Sequence, residues 1–248
     1  MIFGTLWREV ITRPLFNAFA LLYWVFPFHD AGIAIILLTL VVRILLHPIF
    51  RSQYILTRIQ PELAAIQKAW KSNREEQAKR TLALYRAHGV HPLAALGVFA
   101  QLFILFGLYG LFRGINHIDP ARFYFFVPHF AAINPIAFHL VDLTKPSIPL
   151  ALLAGLAQFL YARFATPRPP APTSDSFSES FQIALWRQSI YLFPFVIAAI
   201  AWYWPSVLAV YWTAFNGIGM VQQRLIMRRY AHARAESDRG GTPPPDGH

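Results

Sequence analysis

The stretch Asp30-Ala-Gly-Ile-Ala-Ile-Ile-Leu-Leu-Thr39-Leu-Val-Val-Arg43-Ile-Leu-Leu-His47-Pro48-Ile-Phe50 decides how the chain is read. It offers about 20 nearly continuous apolar residues, enough for a helix to cross a hydrocarbon core of roughly 30 Å. One arginine interrupts it. Thr39, Arg43 and His47 recur at every fourth position and so share one helix face. A charge at the bilayer centre costs at least about 2.5–3.5 kcal/mol, so an intramembrane arginine faces a protein interior or a wet cavity. The competing reading is snorkelling, because Arg43 stands about 7 residues, roughly 10 Å of rise, from the Phe50 end. The other spans decide between the two.

Of the 248 residues, 56% are hydrophobic and only 14% are charged. A soluble domain carries about 25% charged residues, so the composition is that of a membrane protein. The absence of cysteine excludes a disulfide framework, a thiolate nucleophile and a zinc–cysteine site. A net charge of +10 suits contact with anionic headgroups or nucleic acid. Three methionines are few for a surface that binds varied hydrophobic partners.

Outward from the opening stretch, the chain divides into residues 1–29, 30–228 and 229–248. In the first part the apolar run Leu15–Phe28 is about 14 residues, short for a span, and no small-x-small cleavage site follows it. The expectation is an uncleaved amphipathic helix in the outer interface, anchored by Trp7, Tyr23 and Trp24. A sixth span over 15–28 is the alternative. The middle part is expected to hold five spans, at about 30–50, 92–112, 148–164, 183–204 and 207–227, with Pro194 kinking the fourth. The last part is expected to be a basic, disordered tail. The fold class is therefore all-α, a polytopic membrane protein.

The only long charged segment, 51–91, lies between the first two spans. Ile55, Ile59, Leu63, Ile66 and Trp70 form one helical stripe, and Ala78, Leu82 and Tyr85 another. Lys71-Ser72-Asn73 separates them, Gly89 stops the second, and Pro61 restarts or kinks the first. This predicts an antiparallel helical hairpin. Residues 113–147 read as a mixed loop, and the proline-rich 165–180 as an exposed, flexible one. Segment 51–91 carries eight Lys/Arg and the end from Arg224 five, against three in 113–147 and none in 203–206. The positive-inside rule puts the hairpin and the C-terminus in the cytoplasm, and five spans then leave the N-terminus outside.

Apart from Asp30 at a margin, the five spans hold no Asp or Glu. Proton relays and cation sites are typically built from such carboxylates, so ion-coupled transport and enzymatic catalysis both lack their residues. No metal-ligand cluster appears, and His47, alone beside a proline, reads as structural or interfacial. Neither metal nor cofactor is expected. What remains is a sparse polar set: Thr39, Arg43, Gln101, Thr213 and Asn216, read as lining a shared wet cavity, and Gln158, read as bonding a neighbouring helix. A small channel or transporter, and a membrane adaptor that tethers ribosomes through basic segments, stay as rivals.

The residues in order resemble the YidC family of membrane protein insertases. The resemblance rests on Ala34 to Pro48, on Gln60-Pro-Glu-Leu63, on Tyr85-Arg-Ala-His-Gly-Val-His-Pro-Leu93, and on Trp204-Pro-Ser206 with Tyr211-Trp212, Asn216 and Gln222-Gln223. It implies a five-helix core with a cytoplasmic hairpin and an outer amphipathic helix. It also implies a hydrophilic groove open to cytoplasm and lipid, with Arg43 at the place of the family's single arginine. By the same resemblance, Phe106, Tyr109, Pro205 and Tyr211 form a slide for the substrate. The implied partners are nascent membrane proteins and the lipid bilayer, with a ribosome and a Sec-type translocon. The implied location is the bacterial inner membrane, with no small-molecule substrate. The chain departs from the family in Leu102-Phe103 after Gln101, in Val207 after Ser206 and in its few methionines, and the expectation is a short form without the large periplasmic domain of many members.

Overall fold

The computed structural model describes residues 2–26, 29–94, 97–115, 118–129, 132–165 and 177–240, and these are mostly helical. Helix α1 (Ile2–Trp7), a π-helical stretch (Arg8–Thr12) and α2 (Arg13–Val25) follow one another without a break. Next come α3 (Ala31–Leu45), α4 (His47–Arg58), α5 (Gln60–Ala69), α6 (Arg74–Ala87) and α7 (Gly97–Arg113). A short hairpin pairs β1 (Ile136–Ala137) antiparallel to β2 (Val141–Asp142), with Ile136 opposite Asp142. The chain continues as α8 (Ile148–Ala165), α9 (Phe177–Tyr191), α10 (Phe193–Tyr203) and α11 (Ser206–Gly240).

Proline chemistry sets the breaks. Pro48 has no N–H to return to the Ile44 carbonyl, so the helix expected over 30–50 ends at Leu45. The chain restarts as α4 with Pro48 in its first turn, bent by 65° from α3. Pro61 acts likewise in the first turn of α5, and Pro194 in that of α10, which bends by 42° from α9. No single described helix is both long and apolar enough to cross a membrane. The α3–α4 pair, and Ile183–Tyr191 with α10, reach that length and composition together.

Other boundaries also shift. Residues 92–94 form turns rather than the start of the second span. Helix α9 begins at Phe177, six residues before the expected fourth span. The helix expected to dissolve at 229 runs on to Gly240, because Ala231, Ala233, Ala235 and the arginines among them are strong helix formers. The prolines of the 165–180 loop lie outside the described residues.

Helix α11 is the central element. Val207, Leu208, Ala209, Val210 and Tyr211 are all buried, and the helix packs against α3, α7, α8 and α10. Helices α8 and α10 touch closely at Gly155, where a Cβ would stand 2.9 Å from the Ala198 Cβ and 3.0 Å from the Pro194 oxygen. Close approach at small residues is how helices associate where no water drives them together. The outer surface is apolar: Phe99, Phe103 and Phe106 of α7, Leu152 and Leu156 of α8, and Phe195 and Trp202 of α10 are exposed. Exposed apolar area on this scale marks a surface that meets lipid or protein rather than water.

One end of the bundle is closed by a hydrogen-bonded cap. Asp30 accepts from Ile33 N at 2.9 Å as the N-cap of α3, and its other oxygen accepts from Phe138 N. The first N–H groups of α11 find partners here too: Ser206 N donates to Lys145 O at 2.9 Å and Val207 N to Leu143 O at 3.1 Å. Burial pushes the Asp142 carboxyl up, but hydrogen bonds from Thr144 and Lys145 outweigh it and hold it below its ordinary value. The N-terminal helix is fastened to the same cap by Asn17. Its Nδ2 donates to Arg122 O at 2.9 Å and its Oδ1 accepts from Tyr124 N at 2.7 Å. Tyr23, expected at the headgroups, is buried and stacks on Phe19, whereas Trp24 is exposed. The difference follows from α2 packing on α3 along the face that carries both Phe19 and Tyr23.

At the opposite end α5 and α6 pack side by side, joined by a turn that Asn73 closes by accepting from Glu76 N. Gln77 Nε2 donates to Gln67 O at 3.1 Å, and Glu62 and His88 approach to 3.4 Å. Leu63 is buried, but α6 buries no residue and Leu82 of its expected stripe is exposed. With a single neighbour, α6 has nothing to cover that face.

Asp30→Ala removes a helix cap and the acceptor that docks Phe138. The cap alone is worth about 1 kcal/mol, and hydrogen bonds to charged groups about 1.5–3. A lowered thermal midpoint in detergent is expected, and an unchanged one would show that the cap does not hold α3.

Candidate functional site

The helix directions place the polar residues. Helices α3 and α11 both start at the cap, so Arg43, near the end of α3, and Asn216, ten residues into α11, lie in the far half of the bundle. Helices α7 and α10 run the other way, so their first residues meet the same region. There a cavity of about 270 Å³ is lined by Arg43, Gln53, Gln101, Gln158, Tyr161 and Asn216, with Phe50, Trp212 and Phe215 among its apolar walls. The bent α4 contributes Phe50 and Gln53 to it. Ser52 fastens α4 in place: its Oγ donates to Pro48 O and accepts from His91 N, both at 2.8 Å.

Arg43 is 3% exposed. Its Nη1 donates to Gln222 Oε1 at 2.8 Å, while Nε and Nη2 make no well-formed hydrogen bond among the described residues, although the Tyr161 hydroxyl stands close enough to interact with the guanidinium. The guanidinium carbon lies 3.8 Å from the Phe215 ring centroid and 4.7 Å from that of Phe50. Gly219 makes room for it, since a Cβ there would fall 2.5 Å from Nη2. No carboxylate pairs with Arg43 among the described residues. Buried charges are normally paired, so a cation held only by neutral groups (an amide, the Tyr161 hydroxyl and two aromatic faces) has capacity for an anion.

Three of the five expected groove residues, Arg43, Gln101 and Asn216, meet at this cavity. Thr39 and Thr213 do not line it. Their hydroxyls donate back within their own helices, to Ile35 O at 2.7 Å and to Ala209 O at 2.8 Å. Gln158 bonds a neighbouring helix, accepting from Asn216 Nδ2 at 3.0 Å, and also faces the cavity. The four residues assigned to a slide do not share one surface. Phe106 is exposed, Tyr109 stacks on Trp204 at 5.1 Å, Pro205 is half-buried, and Tyr211 is 1% exposed with its hydroxyl 3.4 Å from Gln101 O.

Sequence reasoning missed Gln53, Tyr161 and Gln222. Gln158 and Tyr161 stand one turn apart, so a polar face on α8 was a usable signal. Gln53 gave none, and Gln222, though part of the motif Gln222-Gln223, gave no sign of its contact with Arg43, because both positions depend on the bend after Leu45. Among the described residues no group of three or more His, Asp or Glu side chains is placed to hold a metal ion.

The family model described as 60Kd inner membrane protein matches residues 22–234. A relative from Brucella suis named "Membrane protein insertase YidC" is 27% identical over 237 residues, covering 90% of this chain and 36% of its own length. Relatives of the same name come from Syntrophobacter fumaroxidans (27% over 230 residues, 90% of this chain and 38% of the relative) and Pelobacter propionicus (28% over 225 residues, 89% and 39%). The chain thus spans less than half the length of these curated relatives.

Removing the buried cation tests what Arg43 contributes to the fold. Desolvating an ion costs several kcal/mol, against about 0.5–2 kcal/mol for each cation–π contact. Arg43→Met is therefore expected to leave the thermal midpoint in detergent unchanged or raised. A fall of more than about 5 °C, the order of 1 kcal/mol or more, would make Arg43 a structural residue.

Proposed function

The chain belongs to the 60Kd inner membrane protein family, whose members are bacterial inner-membrane proteins, and from that membership we propose that it is a membrane protein insertase. The observation that carries the proposal is Arg43, buried without a carboxylate partner beside a polar cavity, in a bundle whose outer surface is apolar. The inner face offers a charge to something that brings its own anion, and the outer face suits lipid.

In this proposal five membrane segments form the core: α3 with the start of α4, then α7, α8, the bent α9–α10 pair, and the first part of α11. At 17 and 18 residues, α7 and α8 measure about 26 and 27 Å, close to the roughly 30 Å hydrocarbon core. The α5–α6 hairpin and the C-terminus face the cytoplasm, as the distribution of Lys and Arg directs. The capped end and the N-terminal helix face outward. The cap closes the bundle there, and the cavity lies nearer the hairpin.

A nascent apolar helix with a short acidic flank meets the hairpin, and its flank enters the cavity. Arg43 attracts the flank's carboxylate where the effective dielectric is lower than in water, which strengthens the pair. Gln101, Gln158 and Asn216 supply hydrogen bonds to the polar backbone of the flank. The apolar segment then leaves sideways into lipid, driven by burial at about 25 cal/mol per Å². Every step is non-covalent. The basic extension of α11 supplies charges for the phosphates of ribosomal RNA, so a docked ribosome is the proposed donor of the chain, with a Sec-type translocon as a further partner.

The test uses the full chain in liposomes and a single-span substrate with an acidic translocated tail, read by protease protection. Wild type is expected to insert it. Arg43→Ala is expected to lower insertion about tenfold, equivalent to about 1.4 kcal/mol, and Arg43→Lys to retain most of it. No insertion above empty liposomes, with solute flux instead, would replace the insertase by a channel. Separately, truncation after Met227 is expected to abolish salt-sensitive co-sedimentation with ribosomes; undiminished binding would remove the tail from that role.

A further inference from the structure

Gln222 bridges the Arg43 guanidinium, the Arg43 carbonyl and the His47 ring. Its Oε1 accepts from Arg43 Nη1 at 2.8 Å. Its Nε2 donates to Arg43 O at 3.3 Å and lies 2.7 Å from His47 Nδ1. Chemistry permits only one orientation of this amide. A guanidinium only donates and a carbonyl only accepts, so Oε1 must face Nη1 and the NH₂ group must face the Arg43 carbonyl. His47 Nδ1 is then the acceptor of the second N–H.

The helix break explains why that carbonyl needs a partner. In a continuous helix Arg43 O would accept from His47 N, but α3 ends at Leu45 and α4 starts afresh at His47. Gln222 closes the gap from α11, 179 residues away in sequence. The same amide therefore splints the bend and grips the guanidinium. Gly219, one turn earlier on α11, leaves the slot in which Nη2 lies.

We propose that Gln222 is a positioning residue for Arg43, fixing the guanidinium so that Nη1 is occupied and the Nε–Nη2 pair is left for an incoming carboxylate. Those two N–H groups match the two oxygens of a carboxylate, a geometry that a freely turning side chain would offer only part of the time. Its functional half rests on the insertase proposal, whereas its structural half does not.

Two measurements separate the halves. In full-length protein labelled with ¹⁵N-arginine, wild type is expected to give resolved Nη1 and Nη2 resonances for Arg43, assigned by their loss in Arg43→Lys. In Gln222→Leu they are expected to merge as the guanidinium rotates freely. Merged resonances in wild type, or resolved ones in Gln222→Leu, would overturn the proposal whether or not the chain inserts anything. In liposomes, Gln222→Leu is expected to lower insertion of an acidic-tail substrate about tenfold, the scale of one hydrogen bond to a charge, while a neutral-tail substrate changes less than about twofold. Gln222→Glu, which supplies a fixed counter-ion, is expected to match Arg43→Ala on the acidic tail. Equal loss on both tails would make Gln222 merely structural and overturn its positioning role. Wild type that inserts neither tail would sink the insertase proposal, and the resonances would decide Gln222 alone.

Discussion

A cation placed inside an apolar bundle, with no acid to pair with it among the described residues, is the constraint from which the rest of this structure follows. Arg43 cannot rest against hydrocarbon, because taking an ion out of water costs several kcal/mol. It is held by an amide oxygen on one side and by the faces of Phe50 and Phe215 on the others. These contacts steady the guanidinium without neutralising it. A carboxylate from a neighbouring helix would have done both, and would have closed the site to any incoming anion. The residues around Arg43 are accordingly glutamines, asparagine, tyrosine and phenylalanine.

The bend after Leu45 is the second dependency, and it belongs to the same design. Had α3 continued through Phe50 in a straight line, Phe50 and Gln53 would point along the bundle rather than across its end. Pro48 prevents that by withholding one N–H, and the 65° bend swings α4 beneath the cavity. The bend also parts the Arg43 carbonyl from His47 N, and Gln222 takes that carbonyl, so the break and the charge are stabilised by one side chain. Ser52 ties α4 to the start of the segment before α7, which keeps the floor of the cavity at a fixed distance from Gln101.

How much of this was legible in the sequence depends on whether a residue's surroundings are local. Arg43 stood out because its cost in an apolar run is a property of that run alone. Gln101 and Asn216 were legible for the same reason. Thr39 and Thr213 were misplaced because a threonine hydroxyl can satisfy itself on the carbonyl one turn back, and both do. The places of Gln53 and Gln222 beside Arg43 were not legible, although Gln222-Gln223 stood out as a motif, because those roles exist only once a distant helix, 179 residues away for Gln222, has been brought against a bend whose angle no local pattern states. Tyr23 reads as a headgroup anchor by residue type, but the face it occupies also carries Phe19, and α3 covers that face.

The division of labour between the two ends of the bundle follows from hydrogen-bond accounting. At the capped end Asp30, Asn17 and the Ser206 and Val207 N–H groups of α11 all find partners in the segment between α7 and α8. An end satisfied in this way gains nothing by admitting a polar chain. At the other end two nitrogens of Arg43 make no well-formed hydrogen bond among the described residues, and Ser52 and Gln222 tie the bent α4 region to its surroundings. Open donors at one end and paired groups in the cap at the other make the two ends chemically different. In the proposed mechanism a polar flank is held from the α4 side before it passes the cap. An apolar segment attached to it meets only the exposed phenylalanines and leucines of the outer surface. That asymmetry requires no moving part, because it is already present in which buried N–H groups the fold pairs and which it leaves open.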